Sequence, residues 1–312
     1  MSKKMAIASW FGTDEPKRYN LHKATHSIVL QEKYGYEISS ITRSNRPYKE
    51  YYDAFVDADL VLMNNGFRRN IIRAGRAARD LGKNIIYTEA GVMPQRGYVS
   101  LDDKGLFCTH SLCHDLSWVQ ESHIERYRKY VKGSHYNKYK NLKNRESKMV
   151  LCCLQIARDA QITYCTKLRN SNLIDKCFEL YPDKNIVIRF HPKMRDSESE
   201  PMLQHIKRKY SGKKYTLFHT SAAKKVSFLS QASRSDVIIA LNSTSLIESM
   251  IINKDVVALA DCPIKNQLLD VKLSKNEFEI KKEKLLAGYF SSQYKKKDYY
   301  GAERVLERFK FL

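Results

Sequence analysis

The fold is decided by two apolar runs in the second half of the chain, Asn185-Ile-Val-Ile-Arg-Phe-His191-Pro192 and Asp236-Val-Ile-Ile-Ala-Leu-Asn242-Ser243-Thr244-Ser245-Leu-Ile-Glu248. Each run is rich in isoleucine and valine and ends in polar residues, a pattern typical of strands buried in a parallel sheet. Ligands of open α/β sheets bind beyond the carboxyl ends of such strands. We therefore expect both polar endings to lie in a binding crevice.

The Asn242-Ser243-Thr244 ending also fits the start of a helix that continues through Ser249 and beyond. Its hydroxyl groups and the free backbone N–H groups of the helix could then face a phosphate. Taken alone, a plain helix cap explains the same residues equally well. His191 precedes a proline, which keeps it extended and adds a second polar group at the same crevice. Together the two endings favour a nucleotide site.

The order of the predicted elements indicates two α/β domains. At 312 residues the chain exceeds one ordinary domain, and strands alternate with helices in both halves, which predicts parallel sheets. We place an N-terminal, acceptor-side domain at residues 1–147 and a C-terminal, nucleotide-sugar-binding domain at 148–312. Two Rossmann-like domains facing a cleft form the GT-B architecture. The glycine-rich dinucleotide fingerprint and the Walker A loop are absent, which argues against dehydrogenases and P-loop proteins.

The chain is strongly basic. Its 55 Lys and Arg against 34 Asp and Glu leave a net charge of +21, an excess typical of proteins that meet a polyanion or an anionic membrane. Basic tracts lie at residues 68–79, 126–148 and 207–225, and the second carries nine Lys and Arg interleaved with tyrosines. In the first tract Arg69, Arg73 and Arg76 are spaced to share one helical face. We expect these three arginines to bind an acidic acceptor.

Composition also predicts the compartment and the absence of a metal. No apolar run approaches the roughly 18 residues of a membrane span, and no signal-peptide core is present. The seven cysteines lack disulfide spacing, so we expect reduced thiols. Together these observations predict a cytoplasmic protein, in the host cytoplasm if phage-encoded, with no integral membrane segment. The Cys108–His114 cluster lacks the spacing of a zinc finger or ribbon. We expect no metal and no cofactor besides a nucleotide-sugar co-substrate.

Five short motifs occur in order along the chain: Glu89-Ala-Gly-Val92, Val99-Ser-Leu-Asp-Asp-Lys-Gly-Leu106, Gln155-Ile-Ala-Arg-Asp159, Arg189-Phe-His-Pro192 and Asn242-Ser-Thr-Ser-Leu-Ile-Glu248. This ordered set, within roughly residues 60–260, resembles the bacterial capsule polysaccharide biosynthesis family, which includes β-Kdo glycosyltransferases. The resemblance implies a GT-B-like fold, a CMP-activated ulosonic acid as donor, and no metal.

The resemblance also implies site residues. Those for the nucleotide sugar are Arg189, His191, Asn242, Ser243, Thr244 and Glu248; the catalytic ones are Asp159, Glu89 and Gln155. His191 and Ser243 would bind the phosphate, and Glu248 the ribose or the base. Asp159 would be the nucleophile or key carboxylate, with Gln155 beside it and Glu89 as acid/base. A retaining transfer can use two such carboxyl groups. The plainer alternatives are a helix-start acid at Asp159 and a solvated loop residue at Glu89.

Two classes of acceptor fit the charge. One is DNA, with hydroxymethylcytosine in phage DNA as the best candidate, because basic residues neutralise phosphates and tyrosines stack on bases. The other is a capsule or lipopolysaccharide glycolipid precursor at an anionic membrane surface. The spread of basic residues over both halves favours DNA and a phage DNA-modifying relative of the family. A binding module without catalysis is disfavoured, because Asp159, Glu89, His191 and Glu248 occur together.

Overall fold

The computed structural model describes residues 2–9, 21–69, 71–140, 142 and 148–312. The strands are β1 (Lys3–Ala8), β2 (Tyr36–Thr42), β3 (Leu60–Asn64), β4 (Asn84–Ala90), β5 (Tyr98–Asp102), β6 (Met149–Cys153), β7 (Asn185–Arg189), β8 (Tyr215–Phe218), β9 (Val237–Ala240), β10 (Asp255–Ala258) and β11 (Gln293–Lys295). The helices are α1 (Thr25–Glu32), α2 (Tyr48–Phe55), α3 (Ile72–Asp80), α4 (Glu121–Gly133), α5 (Tyr136–Lys140), α6 (Ala160–Cys165), α7 (Asn170–Leu180), α8 (Asp196–Tyr210), α9 (Thr220–Lys225), α10 (Phe228–Ala232), α11 (Thr244–Ile251), α12 (Lys275–Ser291) and α13 (Tyr299–Leu306).

The first of two compact units comprises Met1–Trp118 and Gly288–Leu312. Its sheet has the strand order β11-β5-β4-β3-β1-β2 in the part that the structure describes. Strands β2, β1, β3 and β4 are parallel, whereas β5 runs antiparallel to both β4 and β11. All five residues of β3 are buried, as expected for a central strand with helices on both faces.

The second unit, Val119–Ala287, carries a parallel sheet with the order β10-β9-β6-β7-β8. The chain builds this sheet outward from β6, first through β7 to β8 and then on the other side through β9 to β10. The direction of winding therefore reverses between β6 and β9. In open α/β sheets the crevice at such a switch point, beyond the carboxyl ends of the strands, is where ligands bind.

The two units differ from the predicted domains at 1–147 and 148–312. The basic segment that we placed at the boundary supplies α4 and α5 to the second unit, and residues 141 and 143–147 lie outside the described residues. The last 25 residues return to the first unit, because β11 pairs with β5 and Val305 and Leu306 of α13 pack in the core with Val29 and Leu30. These are contacts between the two ends of the chain, which no local pattern reveals.

Three other composition-based predictions concern the cysteines, membrane spans and metal binding. Cys113, Cys152, Cys153, Cys177 and Cys262 are free and buried, so the prediction of reduced thiols is confirmed for these five only. Within the described ranges, no helix is long and apolar enough to span a membrane. The same ranges hold no cluster of three or more His, Cys, Asp or Glu side chains that could bind a metal ion.

Candidate functional site

The switch point of the second sheet is closed by a buried pair of amides. Gln155 follows β6 and Asn242 follows β9. The Gln155 Nε2 donates to Asn242 Oδ1 at 3.1 Å, and the backbone N–H of Asn242 donates to Gln155 Oε1, also at 3.1 Å. The Asn242 Nδ2 donates to the carbonyl of Gln161. Both side chains are thus fully engaged in holding the two loops together, and this contact gives Gln155 a positioning role.

Directly after this pair, Ser243 caps α11. Its Oγ accepts a hydrogen bond from the N–H of Ser245 at 3.2 Å, and its carbonyl accepts one from Leu246. The plain helix cap that the sequence allowed is therefore present. It does not conflict with a phosphate site, since a cap leaves other first-turn N–H groups, such as that of Thr244, to face an anion at the positive end of the helix dipole.

His191 lies at the same edge, two residues after β7. Its Nδ1 accepts a hydrogen bond from the backbone N–H of Lys193 at 3.1 Å, so the neutral ring carries its proton on Nε2. Partial burial, together with Lys193 and Arg189 nearby, lowers the pKa of His191, against the opposing effect of Asp159 and Glu198. The Nε2–H makes no hydrogen bond to any residue that the structure describes, and a neutral imidazole of this kind is a suitable donor to a phosphate oxygen.

Asp159 is exposed and caps α6, its Oδ1 accepting from the N–H of Gln161 at 3.0 Å. The helix-start role that the sequence allowed is thus observed. The other carboxylate oxygen makes no hydrogen bond to a described residue, and Asp159 is close enough to His191 to affect its pKa. The structure therefore brings together two of the predicted site residues. Whether Asp159 carries chemistry stays a prediction.

Glu248 is held by a residue that the sequence did not indicate. Its Oε1 accepts a hydrogen bond of 2.9 Å from the hydroxyl of Tyr136, whose side chain is completely buried. Burial raises the pKa of Glu248, and the hydrogen bond from Tyr136 partly offsets this. The two residues are 112 positions apart in the chain, so only the packing of α5 against α11 brings them together.

Arg189 does not face the crevice, contrary to its predicted place among the nucleotide-binding residues. Its guanidinium donates to the Gln231 side chain and to the carbonyls of Ala223 and Val226, at 2.8 and 2.9 Å. The reason is strand geometry: side chains in β7 alternate between the two faces of the sheet, and Arg189 is on the face covered by α9 and α10. Burial lowers its pKa. Through these hydrogen bonds Arg189 connects α9 and α10 to β7.

In the first unit, Glu89 lies near the end of β4 and is half-buried. Its Oε2 accepts from the side chain of Asn65, a buried residue in the left-handed region at φ 68°, and its Oε1 accepts from the N–H of Ala90 at 2.9 Å. Glu89 is therefore a fixed carboxyl group at the carboxyl edge of the first sheet and not the solvated loop residue that the sequence also allowed. Its acid/base role stays a prediction.

The motif at residues 99–106 builds a buried ionic cluster in the first unit. Asp102 accepts hydrogen bonds from the N–H and the hydroxyl of Ser111 at 3.0 and 2.5 Å, and it forms an ion pair with Arg308 at 3.2 Å. The Nδ1 of His110 also lies 3.2 Å from this carboxylate. Burial alone would raise the pKa of Asp102, but His110, Arg308 and Ser111 hold it below its usual range. This part of the resemblance therefore corresponds to a structural anchor for the C-terminal residues.

The arginines predicted to bind the acceptor are exposed, but they do not share one helical face. Helix α3 begins at Ile72, so Arg73 and Arg76 lie on it whereas Arg69 precedes it. Arg76 also forms an ion pair with Asp80 at 3.5 Å and lies over the ring of Tyr48. A common helical face is therefore present for two of the three arginines, and their binding of an acceptor stays a prediction.

Comparison with known proteins gives the fold type and the family. No curated protein sequence matches the chain. Solved structures that resemble it include two β-Kdo transferases named KpsC from Thermosulfurimonas dismutans. The 2,7 transferase is 14% identical with a TM-score of 0.59 over 92% of this chain and 90% of that chain. For the 2,4 transferase the identity is 13% and the TM-score 0.54, over 91% and 90%.

At this level of identity the structural likeness establishes the fold alone, and it confirms the predicted α/β fold with Rossmann-like, GT-B-type sheets. The family of capsule polysaccharide biosynthesis proteins matches residues 105–264, slightly more than half of the chain, and this range includes the switch point, His191, Ser243 and Glu248. The findings support the prediction of a glycosyltransferase. The chain belongs to the capsule polysaccharide biosynthesis protein family.

Proposed function

We propose that the chain is a glycosyltransferase that moves a Kdo-type ulosonic acid from a CMP-activated donor to an acidic glycolipid precursor of a capsule or lipopolysaccharide, in the cytoplasm. The observation that carries the proposal is that Asp159, His191 and the capped start of α11 follow three neighbouring parallel strands, β6, β7 and β9, at one edge of the second sheet. The capsule family matches the part of the chain that forms these strands. The likeness to two β-Kdo transferases supports the sugar class.

The donor phosphate is the ligand that these residues suit best. The Nε2–H of His191 and the N–H groups at the start of α11 supply hydrogen bonds, and the helix dipole adds roughly half a positive charge. Glu248, held by Tyr136, is the candidate acceptor for ribose or base hydrogen-bond donors. No metal is needed in this scheme, because a phosphate that leaves with the cytidine can be neutralised by these groups.

The chemistry proposed is a double displacement with retention. The Asp159 carboxylate attacks the anomeric carbon, the bond from that carbon to the phosphate oxygen breaks, and CMP leaves with the bonding electrons. The acceptor hydroxyl then attacks the same carbon, the bond to Asp159 breaks, and Glu89 takes the hydroxyl proton. The roles given to Asp159 and Glu89 in these steps are part of the proposal.

Asp159→Asn tests the nucleophile without disturbing the cap. Asparagine is as good an N-cap as aspartate, so α6 and the melting temperature should be preserved. Turnover should fall by about three orders of magnitude or more while donor binding persists, because the lost interaction is made only during the reaction. Asp159→Ala removes the cap and the proposed nucleophile together, so the difference in stability between the Ala and Asn variants gives the contribution of the cap alone. Near-normal turnover in the Asn variant would reduce Asp159 to a structural residue.

Ser243 offers a matched pair of variants for the phosphate site. Asn and Asp at this position both cap the helix, but only Asp places a negative charge where the phosphate is expected. Calorimetry with CMP should therefore show little change for Ser243→Asn and a loss of at least tenfold in affinity for Ser243→Asp, about 1.4 kcal/mol. His191→Ala should also weaken binding. Equal affinities in all variants would remove this site from consideration.

DNA remains a second candidate acceptor, because the net charge of +21 and the exposed Arg69 and Arg73 fit a polyanion. Each phosphate contact contributes a slope of about −0.9 in log K against log salt. Replacing Arg69, Arg73 and Arg76 with Gln should flatten that slope only if these residues contact phosphates. Transfer of sugar to hydroxymethylated DNA, with no transfer to a glycolipid, would identify DNA as the acceptor and contradict our proposal.

A further inference from the structure

Helices α4 and α5 of the second unit expose a dense set of cations. We define the lysine patch as Lys129, Lys132, Lys138 and Lys140, four exposed side chains within twelve residues. The sequence from residue 126 to 140 contains no acid. Glu125 is exposed immediately before it, and Arg128 is already paired with Glu121 and Glu283 at 3.1 and 2.7 Å. Within the part of the chain that the structure describes, no ion pair involves a patch lysine, so the patch keeps its positive charge, although Lys140 helps to lower the pKa of Glu283.

The orientation of the patch is fixed by what lies beneath it. Tyr127 and Val131 of α4 and Tyr136 of α5 are buried, so the lysines between them are forced to the outer surface. Tyr136 also donates its hydrogen bond to Glu248 of the candidate donor site. Helix α5 therefore links the two, since it carries Lys138 and Lys140 of the patch and also Tyr136, which contacts Glu248.

Apolar and aromatic groups accompany the cations. Tyr130 and Tyr139 are half-buried, with Lys138 Nζ lying 4.9 Å from the Tyr139 ring centroid. Leu142, just past α5, is 53% exposed. Lysines together with tyrosines and an exposed leucine are typical of surfaces that rest on the headgroup region of a membrane. Phosphates of DNA would give the leucine no apolar environment.

We propose that the lysine patch docks the protein on an anionic lipid bilayer and thereby brings the donor site to a membrane-embedded acceptor. This inference rests on the proposed function, because a glycolipid acceptor requires the enzyme to work at a lipid surface. The association is electrostatic and reversible: the apolar faces of α4 and α5 are packed inside the protein, and Leu142 alone cannot anchor it.

The test is co-sedimentation of the full chain with vesicles of phosphatidylglycerol and phosphatidylcholine, compared with phosphatidylcholine alone. Each lysine near an anionic surface strengthens binding about fivefold, so replacing all four patch lysines with Gln should weaken partitioning by a hundredfold or more. Binding of the unaltered chain should fall steeply with added salt. Calorimetry with CMP on the variant should give the unaltered affinity, showing that the fold and donor site are intact.

A second variant with the same charge change serves as control. It replaces four exposed lysines elsewhere in the unit: Lys207, Lys213, Lys214 and Lys224. If the control variant still binds vesicles and the patch variant does not, the inference is supported. A failure to detect sugar transfer would then count against the proposed function alone and not against membrane docking. Equal losses in both variants, no preference for anionic vesicles, or tighter binding to duplex DNA at matched ionic strength would each overturn it.

Discussion

Gln155 provides a sharp test of the site, because sequence and structure assign it different roles. The family resemblance implies a catalytic residue, whereas the structure engages both polar atoms of its amide with Asn242. In Gln155→Ala, Asn242 loses a partner for its Oδ1 and for its backbone N–H at a position that is only 8% exposed. An unpaired buried polar atom costs about 1–3 kcal/mol, so we expect roughly 2–4 kcal/mol in total.

The assay is urea unfolding followed by circular dichroism. Gln204→Ala, on the exposed face of α8, is the matched control and should change the unfolding free energy by no more than about 0.5 kcal/mol. A double-mutant cycle with Asn242→Ala should give a coupling energy of about 0.5–1.5 kcal/mol for the side-chain hydrogen bond, since the two residues touch. The reasoning is refuted if Gln155→Ala abolishes turnover while its stability and donor affinity stay normal.

Three further predictions follow from buried groups. Arg189→Met should lower the unfolding free energy by about 2–4 kcal/mol while the folded fraction binds donor normally; a stable variant with lost donor affinity would restore its predicted binding role. Tyr136→Phe removes the hydrogen bond that lowers the pKa of Glu248, so the loss of donor affinity on acidification should begin at higher pH; an unchanged pH profile would contradict the assigned contact. Burial lowers the pKa of His26 to about 3, so between pH 6.5 and 3 only the unfolded chain takes up this proton. The free energy of unfolding should fall by up to about 1.4 kcal/mol per pH unit as the pH is lowered through that range, and it should fall by less in His26→Gln. Identical slopes of unfolding free energy against pH for the two proteins, measured by urea unfolding, would refute this.

The strands that decide the fold were accessible from sequence because each is a short apolar run bounded by polar residues. The apolar run that begins at Asn185 starts at the first residue of the observed β7, and the run that begins at Asp236 starts one residue before the observed β9. Burial on both faces leaves such a strand little freedom in composition, and the polar residues that follow it mark its carboxyl end. The position of His191 and Ser243 at one edge of a sheet follows from this local signal alone.

Contacts between distant segments could not be read in the same way. Tyr136 looked like one tyrosine of a basic linker, and only the packing of α5 against α11 places its hydroxyl on Glu248. The return of the C-terminal residues to the first sheet had no signal in the sequence, since β11 has only three residues and no periodic pattern. The family resemblance placed Arg189 among the nucleotide-binding residues, whereas the alternation of β7 turns its side chain toward α9 and α10.

The central claim is tested most directly by mass spectrometry of reaction products. The protein would be incubated with CMP-Kdo or a panel of UDP-sugars, and with either an acidic glycolipid acceptor or hydroxymethylcytosine DNA. We predict release of CMP and a glycolipid heavier by one ulosonic acid residue, with no product in the Asp159→Asn variant. Transfer from a UDP-sugar instead, or modification of the DNA while the glycolipid stays unchanged, would contradict the account.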